Sequence, residues 1–177
     1  GRLKGLVFID YGHPAQVKEG WKAFNYHGTT GVALKVIHVF GLDLGPMQTA
    51  SGSCIVPSRN LILLSAASNA AASMGANGLL IGATGEDQSE YDDCKAKNLQ
   101  KLSAAFVACG GLPIYAPFAE MSKMQIVQQA ADYGFTQADA WSCYRNQDKP
   151  CGVCNSCREA AASWAKVRPR EQIRWAR

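Results

Sequence analysis

The sequence predicts an α/β domain, a parallel sheet with helices on both faces, closed near its C-terminal end by a four-cysteine metal knot. Three observations predict it. Short apolar runs alternate with stretches of helical period, several of those stretches end at a glycine, and four of the seven cysteines fall within the fifteen positions 143–157.

The elements follow in order. Residues 6–9, Leu-Val-Phe-Ile, form a continuous apolar run of the kind a buried parallel strand carries. Residues 15–26 place Val17, Trp21 and Phe24 at helical spacing, which predicts a helix with that stripe inward and Gly28 as its stop. Residues 36–40 are a second strand. Residues 41–57, rich in Gly, Ser, Thr and Pro, are a loop long enough to suggest a function. Residues 59–74 read as an Ala- and Leu-rich helix ended by Gly75, and residues 79–81 as a third strand running into Gly82-Ala-Thr-Gly85. A helix over 94–109 closes at Gly110-Gly111, a fourth strand covers 113–116, and Ser122-Lys-Met-Gln125 is a capping box opening a helix to about Tyr133. Ligands of such sheets sit beyond the carboxyl ends of the strands. That rule points to Asp10-Tyr11-Gly12, to the 41–57 loop, to residues 82–87 and to residues 117–123.

Composition sets the outer bounds. With 47% apolar residues a packed core is expected, and no run of about eighteen apolar residues is present to cross a membrane. The chain starts at Gly1, and residues 1–11 carry no small-residue cleavage signal, so no secretory leader is expected. The formal charge of +4 equals the excess carried by residues 166–177, where Lys166, Arg168, Arg170, Arg174 and Arg177 face only Glu171. That tail reads as a solvated terminus, and direct nucleic-acid binding is not expected. An odd number of cysteines, most of them crowded together, suits reduced cytoplasm and a metal better than a disulfide framework.

Cys143-x7-Cys151-x2-Cys154-x2-Cys157 supplies four thiolates from one loop and turn. Zinc takes four tetrahedral ligands, and four protein sulfurs leave no open position, so the site is expected to be structural. An iron–sulfur cluster is the rival, but its runs continue with a further cysteine about three residues on, and none follows Cys157. Cys54, Cys94 and Cys109 are expected to be buried thiols, Cys94 alternatively part of a ligand site.

The neighbourhood of these cysteines, Trp141-Ser-Cys-Tyr144 and Lys149-Pro-Cys-Gly-Val-Cys-Asn-Ser-Cys-Arg158, resembles the zinc signature of the 7-cyano-7-deazaguanine synthases of queuosine biosynthesis. Further matches follow in the family's order: Ile9-Asp-Tyr-Gly12, Val56-Pro-Ser-Arg-Asn60, Ile81-Gly82 with Glu86-Asp87, Tyr91-Asp92-Asp-Cys94, and Glu120-Met-Ser-Lys123. The resemblance extends from Leu6 to about Trp164. It implies an adenine-nucleotide alpha-hydrolase-like, Rossmann-like sheet and an ATP-dependent reaction. In that reaction the carboxylate of 7-carboxy-7-deazaguanine is activated, aminated, and dehydrated to the nitrile. It further implies Zn(2+) in the knot, ATP with Mg(2+), a role in tRNA modification, a 7-deazaguanine ligand, and substrate or nucleotide binding by Asp10, Tyr11, Arg59, Asn60, Gly82, Glu86, Asp87, Tyr91, Asp93 and Lys123. On physical grounds Arg59 and Lys123 are fixed cations suited to phosphate oxygens. Glu86, Asp87 and Asp93 suit a purine-like edge or magnesium, and Tyr11 and Tyr91 suit stacking on a planar base.

The sequence departs from the family at one decisive place. The Ser-Gly-Gly-x-Asp-Ser pyrophosphate loop after the family's first strand does not occur in these 177 residues. The strand at 6–9 pairs with that first strand in the family, so its edge is expected to be open, as in a longer enzyme cut before Gly1 or in a short relative pairing the edge with a second copy. Smaller departures are His13-Pro-Ala15 in place of polar-basic residues, Lys95 for an arginine and Asp92 for a proline. The expected organisation is an α/β nucleotide-binding-like region over 1–140, a zinc knot and helix over 141–165, and a basic tail over 166–177. Three functions compete: the nitrile-forming synthase, a catalytically inactive zinc-containing purine-binding or assembly module, and a zinc-bearing RNA-binding protein using the tail and Trp175.

Overall fold

A computed structural model describes residues 2–42, 44 and 56–167. Most of the predicted 41–57 loop, Cys54 and most of the basic tail lie outside the described residues.

Strand β1 (Gly5–Asp10) leads through helix α1 (Gln16–Thr30) to β2 (Ala33–His38), and the two strands pair in parallel from Gly5 opposite Ala33 to Asp10 opposite His38. Helix α2 (Arg59–Ser73) leads to β3 (Leu79–Leu80), followed by the short α3 (Asp87–Glu90), a 3-10 turn at Asp92–Cys94, and α4 (Ala96–Ala108). Strand β4 (Ile114–Tyr115) pairs in parallel with β3. Helix α5 (Lys123–Asp132), a 3-10 turn at Gln137–Asp139 and α6 (Asn155–Trp164) complete the chain. The predicted strand–helix alternation and parallel pairing are therefore present.

The sheet, however, is divided. Among the described residues β1–β2 and β3–β4 are two separate two-stranded sheets, and α2 packs against both β1 and β3. Every residue of β1 is half-buried, without the alternation of a one-sided strand. That pattern fits a strand with helices over both faces and one edge open. The main core gathers around the second pair, where Leu64, Ala71, Leu79, Ala83, Cys94, Leu99 and Ile114 form one buried cluster.

The first pair carries the corrections. Val17, Trp21 and Phe24, expected to face inward, are exposed at 48%, 63% and 55%, and α1 buries none of its residues. Other positions of α1 make its contacts. Gly20 lies against the Phe8 ring, Tyr26 stacks on Phe135, and Lys22 Nζ donates to the Ala138 carbonyl. The helix also runs past Gly28. Its stop is Gly31, left-handed at φ 69°, whose N–H reaches the His27 carbonyl at 2.8 Å. The predicted helix over 94–109 begins two residues later, because Asp92–Cys94 closes its own 3-10 turn and Lys95 is extended. Cys109, expected to be buried, is exposed at the end of α4, whereas Cys94 is buried as expected.

Candidate metal centre and strand-end residues

The C-terminal unit is organised by its cysteines. Cys143, Cys154 and Cys157 are buried, Cys151 is half-buried, and the four sulfurs lie within 4.8 Å of one another. A tetrahedral ion with metal–sulfur bonds of about 2.3 Å separates its ligands by about 3.8 Å. The Cys151 and Cys157 sulfurs stand 3.9 Å apart, so the set fits one tetrahedral ion. A multi-iron cluster would hold its cysteines around a larger body.

Local sequence explains the convergence. Gly152 takes φ 73°, a left-handed turn that a side chain would resist, and it folds Cys151 back toward Cys154. Cys154 then precedes the first residue of α6, which carries Cys157 one turn on. Backbone N–H groups point at the sulfurs: Arg145 and Cys151 donate to Cys143 Sγ, and Cys154 donates to Cys151 Sγ, each at 3.4 Å. Trp141 Nε1 donates to the Cys143 carbonyl at 2.9 Å and braces the entry to the knot. Backbone N–H donors from Cys154 and Val153 draw the Cys151 thiol down to about 6, which favours the thiolate a metal needs. Burial pushes Cys157 up to about 12.

The sequence-predicted ligand residues fall into three groups at strand ends. In the first, Asp10 closes β1, its Oδ1 accepting the Gly12 N–H at 3.2 Å and its Oδ2 lying 3.2 Å from His38 Nδ1. Tyr11 follows, its ring 5.8 Å from that of His13.

The second group surrounds the start of α2. Arg59 is its first residue, preceded by Ser58 in the left-handed region at φ 58°. Asp93 Oδ2 accepts the Asn60 N–H at 3.3 Å, so an acid from the neighbouring turn caps this helix in place of Ser58. The Asn60 side chain donates to Cys94 Sγ at 3.3 Å. Burial raises the Cys94 thiol to about 12, and the charges of Asp93 and Asp87 push it the same way.

The third group joins β3 to α5. Gly82 leads out of β3, and Asp87 Oδ2 accepts from both the N–H and the hydroxyl of Thr84, at 2.8 and 2.9 Å. Glu86 accepts the Lys123 N–H on both carboxylate oxygens. Gly85 makes that approach possible, because a Cβ there would stand 3.0 Å from the Met121 carbonyl that its own N–H meets at 2.8 Å. The capping box at Ser122 and Gln125 forms with both of its arms. Tyr91 packs against the core cluster.

Arg59 relates the first two groups. Its charge acts on His13 and Glu19 after β1 and on Cys94 of the 92–94 turn. Burial and that charge lower the His13 pKa, and burial raises that of Glu19. His13, Glu19 and Tyr144 are site neighbours that sequence reasoning missed. His13 was visible only as an unusual residue after a strand end, and Glu19 as an ordinary polar position on a helix. A separate cavity of about 200 Å³, between α4 and the turn after β4, is lined by Leu99, Ile114, Pro117 and Glu120 among others and holds none of the predicted ligand residues. Among the described residues no helix is long and apolar enough to cross a membrane.

The family model for queuosine biosynthesis protein QueC matches residues 37–168. That span contains the cysteine knot and every predicted ligand residue except Asp10 and Tyr11. Among relatives named 7-cyano-7-deazaguanine synthase, that of Marinobacter nauticus is 38% identical over 113 residues, covering 63% of this chain and 51% of its own. The Campylobacter hominis protein is 42% identical over 107 residues, covering 58% and 49%, and the Sulfurovum sp. protein 36% over 140 residues, covering 76% and 61%. The chain thus spans about half the length of the curated relatives it matches. With about three quarters of its residues inside the family model, the chain belongs to the queuosine biosynthesis protein QueC family.

Proposed function

We propose that this chain carries the zinc-bearing, 7-deazaguanine-binding part of a cytoplasmic 7-cyano-7-deazaguanine synthase, an ATP-dependent ligase that serves tRNA modification. The observation that carries the proposal is the joint presence, inside the family match, of the four converging cysteines and the strand-end residues from Arg59 to Lys123.

In this reading Zn(2+) is held by Cys143, Cys151, Cys154 and Cys157 and is structural, since all four positions are protein sulfur. The half-buried Arg59 offers a planar fork to the carboxylate of 7-carboxy-7-deazaguanine, and Tyr11, at the end of β1, offers a ring to stack on the base. Lys123, anchored through its own N–H by Glu86, offers a cation to the phosphates of ATP with Mg(2+). Asn60, Gly82, Asp87, Tyr91 and Asp93 complete the proposed site, the two aspartates by ordering the backbone of Asn60 and Thr84.

The 177 residues contain no Ser-Gly-Gly-x-Asp-Ser segment to receive pyrophosphate. This favours a second reading, in which the chain as given binds ligand but does not activate it. Both readings are tested by supplying the zinc-loaded chain with 7-carboxy-7-deazaguanine, ammonia and MgATP and following AMP and nitrile. No turnover is expected from this chain alone, and clear ATP-dependent product would reject the second reading. Among the described residues β1 has no strand on its second edge, and this and the exposed stripe on α1 support pairing with a second copy of the chain.

A further inference from the structure

The cysteine knot and the end of β1 meet through one pair of rings. Tyr144 lies between two residues of the knot: Cys143, fully buried, and Arg145, whose N–H donates to Cys143 Sγ. Its ring stands edge-on to that of His13, with centroids 6.2 Å apart and planes at 79°. This is the geometry in which the positive rim of one ring meets the face of another. His13 is only 3% exposed and is held on its other side. Its Nδ1 accepts the Ala15 N–H at 3.1 Å, its carbonyl accepts the Gln16 N–H at 2.9 Å, and its ring neighbours Tyr11. A shift of Tyr144 therefore bears on the ring of a buried histidine held on its other side.

We infer that Tyr144 is a positioning residue: metal binding at the four cysteines sets its ring, and its ring sets His13 and the Tyr11 segment at the end of β1. The inference rests on the reading of the knot as a metal site. It assigns that site a role at the strand end, where closed coordination alone would make it only a local staple. The lowered pKa of His13 keeps the ring neutral, consistent with a packing role beside the Arg59 charge.

The test uses the full chain with isotope-labelled histidine. His27 serves as the internal control, because its ring contacts the Val32 carbonyl, whereas His38 sits against Asp10 at the end of β1 itself. Zinc is titrated into metal-free protein, with uptake followed separately by cobalt substitution and its sulfur-to-metal absorption. The His13 resonances should move with a midpoint at the metal stoichiometry, at least threefold more than those of His27. Tyr144→Ala should still take up metal but lose most of the His13 response, and Tyr144→Phe should restore it. A His13 signal that moves no more than that of His27, or that responds fully in Tyr144→Ala, overturns the inference. Failure to take up metal at all overturns both the inference and the metal reading beneath it.

Discussion

Glu86 accepts the backbone N–H of Lys123 on both carboxylate oxygens, at 2.8 and 2.9 Å, across 37 positions of sequence. The contact ties the turn after β3 to the first residue of α5. Its carboxylate sits at the positive end of that helix, where the unpaired N–H groups and the helix dipole both favour an anion. Glu86→Ala should therefore cost about 1–2 kcal/mol of stability, the scale of a lost charge-assisted hydrogen bond with its donor left unpaired. Urea unfolding of the variant against the parent chain measures it, and a midpoint unchanged from the parent would show that the contact contributes nothing.

A pH dependence follows from His13. Its folded pKa lies below the ordinary value of 6.5, so the unfolded chain takes up its proton first as pH falls. The stability linked to this group is fully present above about 6.5 and is lost as pH drops toward the folded value. Glu19 acts in the opposite sense: raised above 4.5, it contributes most below that value and loses its contribution as pH climbs through the folded pKa. Thermal midpoints between pH 7.5 and 5.5 should fall for the parent and fall less for His13→Asn. Parallel curves for the two proteins would remove His13 as the cause.

The two described cysteines outside the knot should differ sharply in reactivity. Cys109 is exposed, while burial and neighbouring carboxylates hold the Cys94 thiol near 12. Because the thiolate is the nucleophile, iodoacetamide at pH 8 should label Cys109 at least tenfold faster than Cys94 in the native protein. Peptide mass spectrometry reads both rates in one digest, and equal rates would show that the second strand pair opens readily.

Among the described residues β1 pairs only with β2, and Trp21 and Phe24 are exposed on α1, so the chain should self-associate. Light scattering after size exclusion should give twice the 19.0 kDa chain mass at tens of micromolar. Trp21→Glu should shift the protein toward monomer. A monomer at every concentration would contradict the pairing.

Much of the architecture was legible in sequence because its signals are local. The period of the apolar runs marked the strands and helices, Gly75 and Gly134 marked stops, and the Ser122–Gln125 box marked the start of α5. The cysteine spacing foretold the convergence of four sulfurs, because a short turn and one helical step leave few other arrangements. What sequence could not supply were the non-local facts. The Val17–Trp21–Phe24 stripe looked like a core face, because periodicity reports that a face is apolar and not whether anything covers it. Nor does any pattern reveal that Asp93 caps a helix 33 positions away, or that Tyr144 finds His13.

The central claim, that the strand ends around Arg59 bind a 7-deazaguanine, is tested most directly by calorimetry with 7-carboxy-7-deazaguanine on the zinc-loaded chain. One site per chain is expected, weakened at least tenfold by Arg59→Ala while circular dichroism and metal content stay unchanged. No heat from the parent chain carrying one zinc, or equal affinity in the Arg59→Ala variant, would contradict it.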